Sequence, residues 1–250
     1  MAGAARIVYV GHATVLVDMD GVRVLTDPLL RPRLLHLLRV GQVSTAALGG
    51  VDVVLISHSH FDHLDIASLR ALGPDVRVVV PRGIGALLNK KGIGSVTELA
   101  IGDELRVGSL EIRGVPALHE ARALPFGRRA EPMGHVIIGS RSVYFAGDTD
   151  LFAGMEAIGP VDVALVPIWG WGSSLGAGHL NPRSAAEAIR LLQASVAIPI
   201  HWGTYVPRLR ALRGTPAFGE AAVEDFTTSV REIAPDVDLR VLRPGEETIV

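Results

Sequence analysis

The sequence predicts an α/β protein whose sheets and helices stack in layers. Three observations predict it. Short apolar or alternating runs recur along the 250 residues, bounded by Gly, Pro and Asp. Stretches with a helical apolar face lie between them. The Asp20-Gly21 pair in "DGVR" marks a tight hairpin turn. Hairpins mixed with intervening helices require layers of sheet and helix rather than a bundle.

Taken in order, strands are expected at Ile7–Val10, Val15–Asp18, Val22–Leu25, Val53–Ile56 and Val76–Val80. Further strands are expected at Leu110–Val115, Val136–Ile138, Val143–Phe145, Val163–Val166 and Val196–Ile200. Leu64–Leu72 reads as a helix. So does Pro182–Gln193, where Asn181 can cap, Pro182 suits the first turn, and Ala185, Ala188, Ile189 and Leu192 share a face. Gly219–Ile233 is a third helix. In Leu29–Val40, Leu30, Leu34, Leu37 and Leu38 fall at helical spacing, with Arg31, Arg33 and Arg39 elsewhere on the turn. Such a helix would touch lipid, guard an apolar pocket, or pack in a core or dimer. No low-complexity linker or short repeat divides the chain, so residues 1–250 are expected to form one domain.

Bulk properties narrow the function. A formal net charge of -2 argues against a nucleic-acid partner. Cysteine is absent, so any metal must be held by His, Asp or Glu. No secretory signal or membrane span is apparent, and a cytoplasmic location is the expectation.

The segment "ISHSHFDHLD", Ile56 to Asp65, packs three histidines and two aspartates behind an apolar strand. In extended chain, residues two apart face the same way, so His58 and His60 can reach one ion. Asp62 and His63 come where the chain turns, and can reach a second point beside it. A solvated helix start would explain one histidine but not this set. Other polar residues also sit just beyond apolar strands: His119 in "PALHE", Asp148 in "YFAGDTD" and His201 in "IPIHWGT". A surface histidine, a cap for a helix near Leu151 and a core histidine are their respective alternatives.

These motifs resemble the metallo-β-lactamase superfamily of metal-dependent hydrolases, of which HxHxDH is characteristic. "GHATVLVDMDGVRVLTDP", "PALH", "VYFAGDTD", "ALVPIWGW", "GHLNP" and "IPIHWGT" follow in an order similar to one branch. That branch holds L-ascorbate-6-phosphate lactonases and an N-acyl-phosphatidylethanolamine-hydrolysing phospholipase D. The resemblance implies a four-layer αβ/βα sandwich with its site at the sheet edges. It implies two divalent metal ions, Zn2+ first with Mn2+ or Fe2+ as alternatives. His58, His60 and His119 would hold one, Asp62, His63 and His201 the other, with Asp148 bridging. It also implies a hydrolase that attacks an ester, lactone or phosphodiester with a metal-activated hydroxide. Asp148, Asp62 and His179 of "GHLNP" would lie nearest the chemistry.

His12 in "GHAT" matches the branch, as a structural histidine, a residue behind the ligands or a substrate contact. His135, in a strand, and His36, in a helix, read as packing or surface residues. Arg122, Arg128 and Arg129 could bind a phosphate, or form a solvated basic loop. Leu29–Val40 and the Gly-rich, Trp-containing Trp169–Gly178 depart from the branch and leave the substrate open. The expected partner is a small molecule, phosphorylated or lipid-like, and a homo-oligomer is compatible with the sequence. The competing functions are a non-catalytic metal-binding protein and an iron-dependent redox member of the same fold.

Overall fold

The computed structural model describes residues 3–40, 48–120, 130–169, 176–208 and 219–250. The first half of the chain contains strands β1 (Ala5–Gly11), β2 (Thr14–Met19), β3 (Val22–Thr26), β4 (Arg33–Leu34), β5 (Leu37–Arg39) and β6 (Val53–Leu55). Helix α1 (Ile66–Leu72), β7 (Arg77–Pro81), helix α2 (Gly85–Lys90), β8 (Val96–Leu99) and β9 (Glu104–Val107) follow. Next come β10 (Leu110–Pro116), β11 (Met133–Ile138), β12 (Ser142–Phe145), β13 (Val163–Pro167), α3 (Pro182–Leu191) and β14 (Val196–Ile200). The chain ends with β15 (Tyr205–Pro207), α4 (Glu220–Ile233), β16 (Asp238–Leu239) and β17 (Glu247–Ile249).

Two seven-stranded sheets carry the fold, in the orders β17-β1-β2-β3-β6-β7-β8 and β16-β14-β13-β12-β11-β10-β9. Side chains alternate between the faces of each strand. Ile7, Val15, Val17, Val24, Leu55 and Val79 of the first sheet therefore meet Leu110, Ile112, Ile137 and Val143 of the second in one core. The opposite face of the first sheet, with Leu16, Leu25, Val54, Ile56, Val78 and Val80, is covered by Leu69 of α1 and Leu88 of α2. Helices α3 and α4 add Ala185, Ile189, Phe226 and Val230 on the other side of the second sheet. The layers run helix, sheet, sheet, helix. Covering on both faces explains the unbroken apolar runs of β6, β13 and β14.

The expected central strands and three helices are all present. Asp20 (φ +52°) and Gly21 (φ +79°) form the hairpin turn between Met19 and Val22, as the Asp-Gly pair predicts. Helix α1 begins after Asp65, whose carboxylate accepts from Ser68 N at 3.0 Å. Helix α3 has a capping box, with Asn181 Oδ1 accepting from Ser184 N and Ser184 Oγ accepting from Asn181 N.

Leu29–Val40 is not a helix. Leu34 pairs with Leu37 across a turn in which Leu35 takes φ +51°, so β4 and β5 form a hairpin and His36 lies in its turn. The leucine spacing serves this hairpin equally well, because Leu29, Leu34 and Leu37 all turn inward onto Tyr205. Strand β15 pairs with β5 and extends the hairpin into a third small sheet. Arg39 pins it, donating to Leu29 O at 2.8 Å and Val10 O at 2.5 Å. Among the described residues no helix is long and apolar enough to cross a membrane.

His135 is a packing residue. It lies in β11 opposite Phe145, fully buried, with its ring stacked on Phe145 at 6.4 Å. Neither ring nitrogen has a hydrogen-bond partner among the described residues. Burial lowers its pKa to about 3, against 6.5 for the free side chain. The folded state thus binds fewer protons than the unfolded chain between these values. Stability falls as pH drops through this window, by up to about 1.4 kcal/mol per pH unit. We expect His135→Leu, compared with wild type in metal-free urea unfolding at pH 7 and pH 5, to lose less stability on acidification. Equal losses would show that His135 is protonated without cost in the fold.

Candidate metal centre

The site follows from strand direction. β1, β3 and β6 run the same way in the first sheet, because β2 is antiparallel to both neighbours and β6 is parallel to β3. β10, β12, β13 and β14 share one direction in the second sheet for the same reason. Their C-terminal ends deliver His12, Asp27, the Ser57–His63 segment, His119, Asp148, Trp169 and His201. In open α/β sheets this is the edge where ligands bind. Two backbone hydrogen bonds stitch the sheets there: His201 N to His12 O at 2.8 Å, and Met133 N to Ser57 O at 3.0 Å.

Seven of the nine histidines gather at this edge. In one group, His60 Nδ1 lies 3.0 Å from His58 Nε2 and 3.1 Å from His119 Nε2. In the other, Asp62 Oδ2 lies 3.3 Å from His12 Nε2, 3.7 Å from His63 Nε2 and 4.0 Å from His201 Nε2. Asp148 stands between them. Its Oδ2 is 3.2 Å from His63 Nε2 and 3.9 Å from His58 Nε2, and its Oδ1 is 3.4 Å from His201 Nε2. Asp148 caps no helix, because the next helical turn starts only at Met155, after Gly154.

Outer hydrogen bonds set the tautomers. His119 Nδ1 faces Gly178 O at 2.8 Å, and His201 Nδ1 faces Trp169 O at 2.7 Å. A carbonyl only accepts, so both rings carry their proton on Nδ1 and turn an Nε2 lone pair inward. His63 Nδ1 likewise donates to Asp27 Oδ2 at 2.7 Å. His58 Nδ1 is 2.9 Å from Ser57 Oγ. Inward lone pairs beside carboxylates form a donor set that suits divalent cations. Among the described residues, four overlapping donor groups have ligand atoms within 4.8 Å of one another: His12–Asp62–His63–His201, His58–His60–His119, Asp27–His58–His63 and His119–Asp148–His179.

Electrostatics agree with this. Burial holds the His58, His60 and His119 imidazoles below their ordinary pKa, which favours the neutral, ligating form. Burial also lowers His12, to about 3. For Asp62 burial acts upward, yet His63 and His12 together hold it well below the usual carboxylate range. Asp148 behaves alike under His201 and His63. Burial opposes charge on His63, but Asp148, Asp62 and Asp27 surround it and raise it well above its ordinary value. A proton and a cation compete for the same Nε2 lone pair there. Asp27 is pushed up by burial and held back by His63 and Ser57, whose donated hydrogen bonds favour its carboxylate.

His179 sits on the more open side, its side chain 28% exposed, with Nε2 3.6 Å from Asp148 Oδ2. Its neighbours fix the loop. Gly178 O accepts from His119, and Leu180 N donates to Thr149 O at 2.7 Å. Gly178 has φ +82°, and an added Cβ would lie 3.2 Å from His119 Nδ1. Gly147 has φ +62°, and a Cβ there would meet Ser57 Cβ at 2.4 Å. Both positions therefore require glycine. Phe61 and Leu118, each beside a site residue, are about half exposed at the rim (54% and 51%).

All the site residues expected from the sequence meet here. Two further residues join them: Asp27, which the sequence motifs do not single out, and His12, for which they leave a structural role, a place behind the ligands and a substrate contact open. Both obey the placement rule that exposes Asp148, a polar residue directly after an apolar strand. Arg122, Arg128, Arg129 and most of the Trp169–Gly178 segment lie outside the described residues.

The comparisons with known proteins agree with this geometry. Residues 22–202 match the model of the Beta-lactamase superfamily domain. A UPF0173 metal-dependent hydrolase of Methanopyrus kandleri is 35% identical over 248 residues, covering 96% of this chain and 98% of the relative. N-acyl-phosphatidylethanolamine-hydrolyzing phospholipase D 1 of Caenorhabditis elegans is 33% identical, over 79% of this chain and 63% of its own. Among solved structures, a metallo hydrolase of Ignicoccus hospitalis superposes with a TM-score of 0.75 at 27% identity, covering 99% and 98% of the two chains. Together with the layered sheets and converging histidines of this chain, these matches make it a member of the metallo-β-lactamase superfamily, a metal-dependent hydrolase.

Proposed function

We propose that this hydrolase is dinuclear, with residues 1–250 forming one catalytic unit. His58, His60 and His119 would hold an outer cation and Asp62, His63 and His201 an inner one, with Asp148, which stands between the two groups, serving both. The observation that carries this reading is the tautomer pattern. Acceptors behind His63 and His201 turn two Nε2 lone pairs toward Asp62 and Asp148, and the acceptor behind His119 turns a third toward His60. The all-His/carboxylate set suits Zn2+, with Mn2+ and Fe2+ as alternatives. Bound divalent cations supply Lewis acidity and make water a nucleophile at neutral pH.

The chain's own residues do the rest. Asp148 orients the attacking water and can accept its proton. His60, His119 and His179, the less buried histidines, line the side on which substrate arrives. His179 donates a hydrogen bond or a proton to the leaving group. The half-exposed Phe61 and Leu118 favour a substrate with an apolar portion next to its scissile bond. An ester, lactone or phosphodiester of a small molecule fits this arrangement, including phosphorylated or lipid-like compounds. A cytoplasmic location belongs to the same proposal.

Elemental analysis of metal-stripped and reloaded protein should give about two ions per chain, and His119→Ala or His201→Ala should reduce this to about one. A lactone, a phosphodiester and an N-acyl phospholipid, assayed with His60→Ala as control, identify the substrate class. One ion or fewer in the reloaded wild type would refute the dinuclear reading.

Asp27 gives a second test. In Asp27→Asn the amide NH2 can donate to His63 Nδ1, moving the ring proton to Nε2 and blocking the inward lone pair. We expect inner-ion affinity to fall roughly 10–100-fold, by chelator competition. Unchanged affinity would mean that Asp27 does not set the tautomer.

His179→Ala should keep both ions and slow turnover by about 10²–10⁴-fold. Substrates with activated leaving groups should lose least, since they need little protonation. Loss of an ion instead would make His179 a ligand, as its place in the His119–Asp148–His179 group allows.

A further inference from the structure

We infer that His12 is a further protein donor to the inner cation, beside Asp62, His63, His201 and the shared Asp148, an inference that rests on the metal-centre reading above. Three features of the geometry support it. First, His12 Nε2 lies 3.3 Å from Asp62 Oδ2. Two donors about 2.0–2.2 Å from one ion, at the roughly 90–120° angles of a five-coordinate site, stand roughly 2.8–3.8 Å apart, so the spacing suits two ligands sharing an ion. Second, the ligand atoms of His12, Asp62, His63 and His201 all fall within 4.8 Å of one another, and all four residues are buried. The His12 ring lies against that of His201, with centroids 3.9 Å apart, and 5.1 Å from that of His63.

Third, the backbone aims His12 deliberately. Its φ is +59°, in the left-handed region that few non-glycine residues occupy. The conformation is held at both ends: His12 N donates to Thr204 Oγ1 at 2.6 Å, and His12 O accepts from His201 N at 2.8 Å. His201, itself at φ +65°, is thereby locked in register with His12. Gly11 completes the arrangement, since a Cβ there would strike Arg39 Nη2 and Thr204 at 2.8 Å. A turn that couples the two histidines through one backbone hydrogen bond places both rings on the same side of Asp62.

The consequence is an unequal pair of positions. Besides the shared Asp148, the inner one has three imidazoles and a carboxylate, all buried. The outer one has three imidazoles, two of them half-buried. The inner position should load first and exchange slowly, while the outer one faces substrate.

The test uses Co(II) as the probe on the full chain. Wild type should take up two ions in separable steps. In His12→Gln, whose amide keeps a polar group near the Nε2 position, the tighter step should weaken more than 100-fold and its visible absorption band should shift. That exceeds the roughly 10–100-fold expected when only an outer hydrogen-bonding partner is lost. A tight step weakened about 100-fold or less, with the band unchanged, overturns the assignment. A second measurement needs no substitution at His12. X-ray absorption of Zn-loaded His60→Ala, which retains the inner donors, should count three imidazoles; two would overturn the proposal. If wild type takes up no Co(II), it is the metal-centre reading that fails instead.

Discussion

The site hangs on one buried carboxylate. Asp27 is wholly enclosed at the end of β3, where an unpaired charge would cost several kcal/mol. It is stabilised by accepting from Ser57 N at 2.7 Å, Ser57 Oγ at 2.5 Å and His63 Nδ1 at 2.7 Å. Those bonds tie Ser57, directly before the HxHxDH motif, and His63, its last residue, to the end of a neighbouring strand. Ser57 in turn orients His58, and His63 presents Nε2 to Asp62 and Asp148. Without this anchor the segment would be a polar loop of like-facing imidazoles, and nothing would hold their lone pairs in place.

The rest of the frame was legible in the sequence to different degrees. Buried strands such as β13 and β14 announce themselves as unbroken apolar runs. β8, β9, β16 and β17 do not, because they lie near or at the sheet edges and keep exposed charged residues such as Glu98, Glu104, Asp238 and Glu247. The Leu29–Val40 hairpin reads as a helix in the sequence because leucines at i and i+3 satisfy both patterns. What decides it is pairing of β5 with β15, well over a hundred residues away, which no local pattern reveals.

The site was legible where its residues carry their own chemistry. HxHxDH is local, and His119, Asp148, His179 and His201 stand at recognisable strand ends or beside a helix cap. What supports them was harder to see. Two of the orienting acceptors are backbone carbonyls, of Gly178 and Trp169, and a carbonyl has no letter in the sequence. Asp27 and His12 have letters, but their orientation depends on left-handed backbone at φ +29° and +59°. Side-chain direction at such residues cannot be inferred from strand alternation.

That backbone also bears on the order in which the site was built. Asp27, His12 and His201 are three non-glycine residues with positive φ, all at one sheet edge. Such conformations cost of order 1–3 kcal/mol each and persist only where surroundings over-determine them. Here the surroundings are the rigid ends of β1, β3 and β14, cross-linked by His201 N to His12 O and by Thr204. The strain is therefore offset by the sheets rather than by the site. A fold stabilised in this way can hold imidazoles and carboxylates converged before any cation arrives, and can spend little of the binding energy on ordering the ligands.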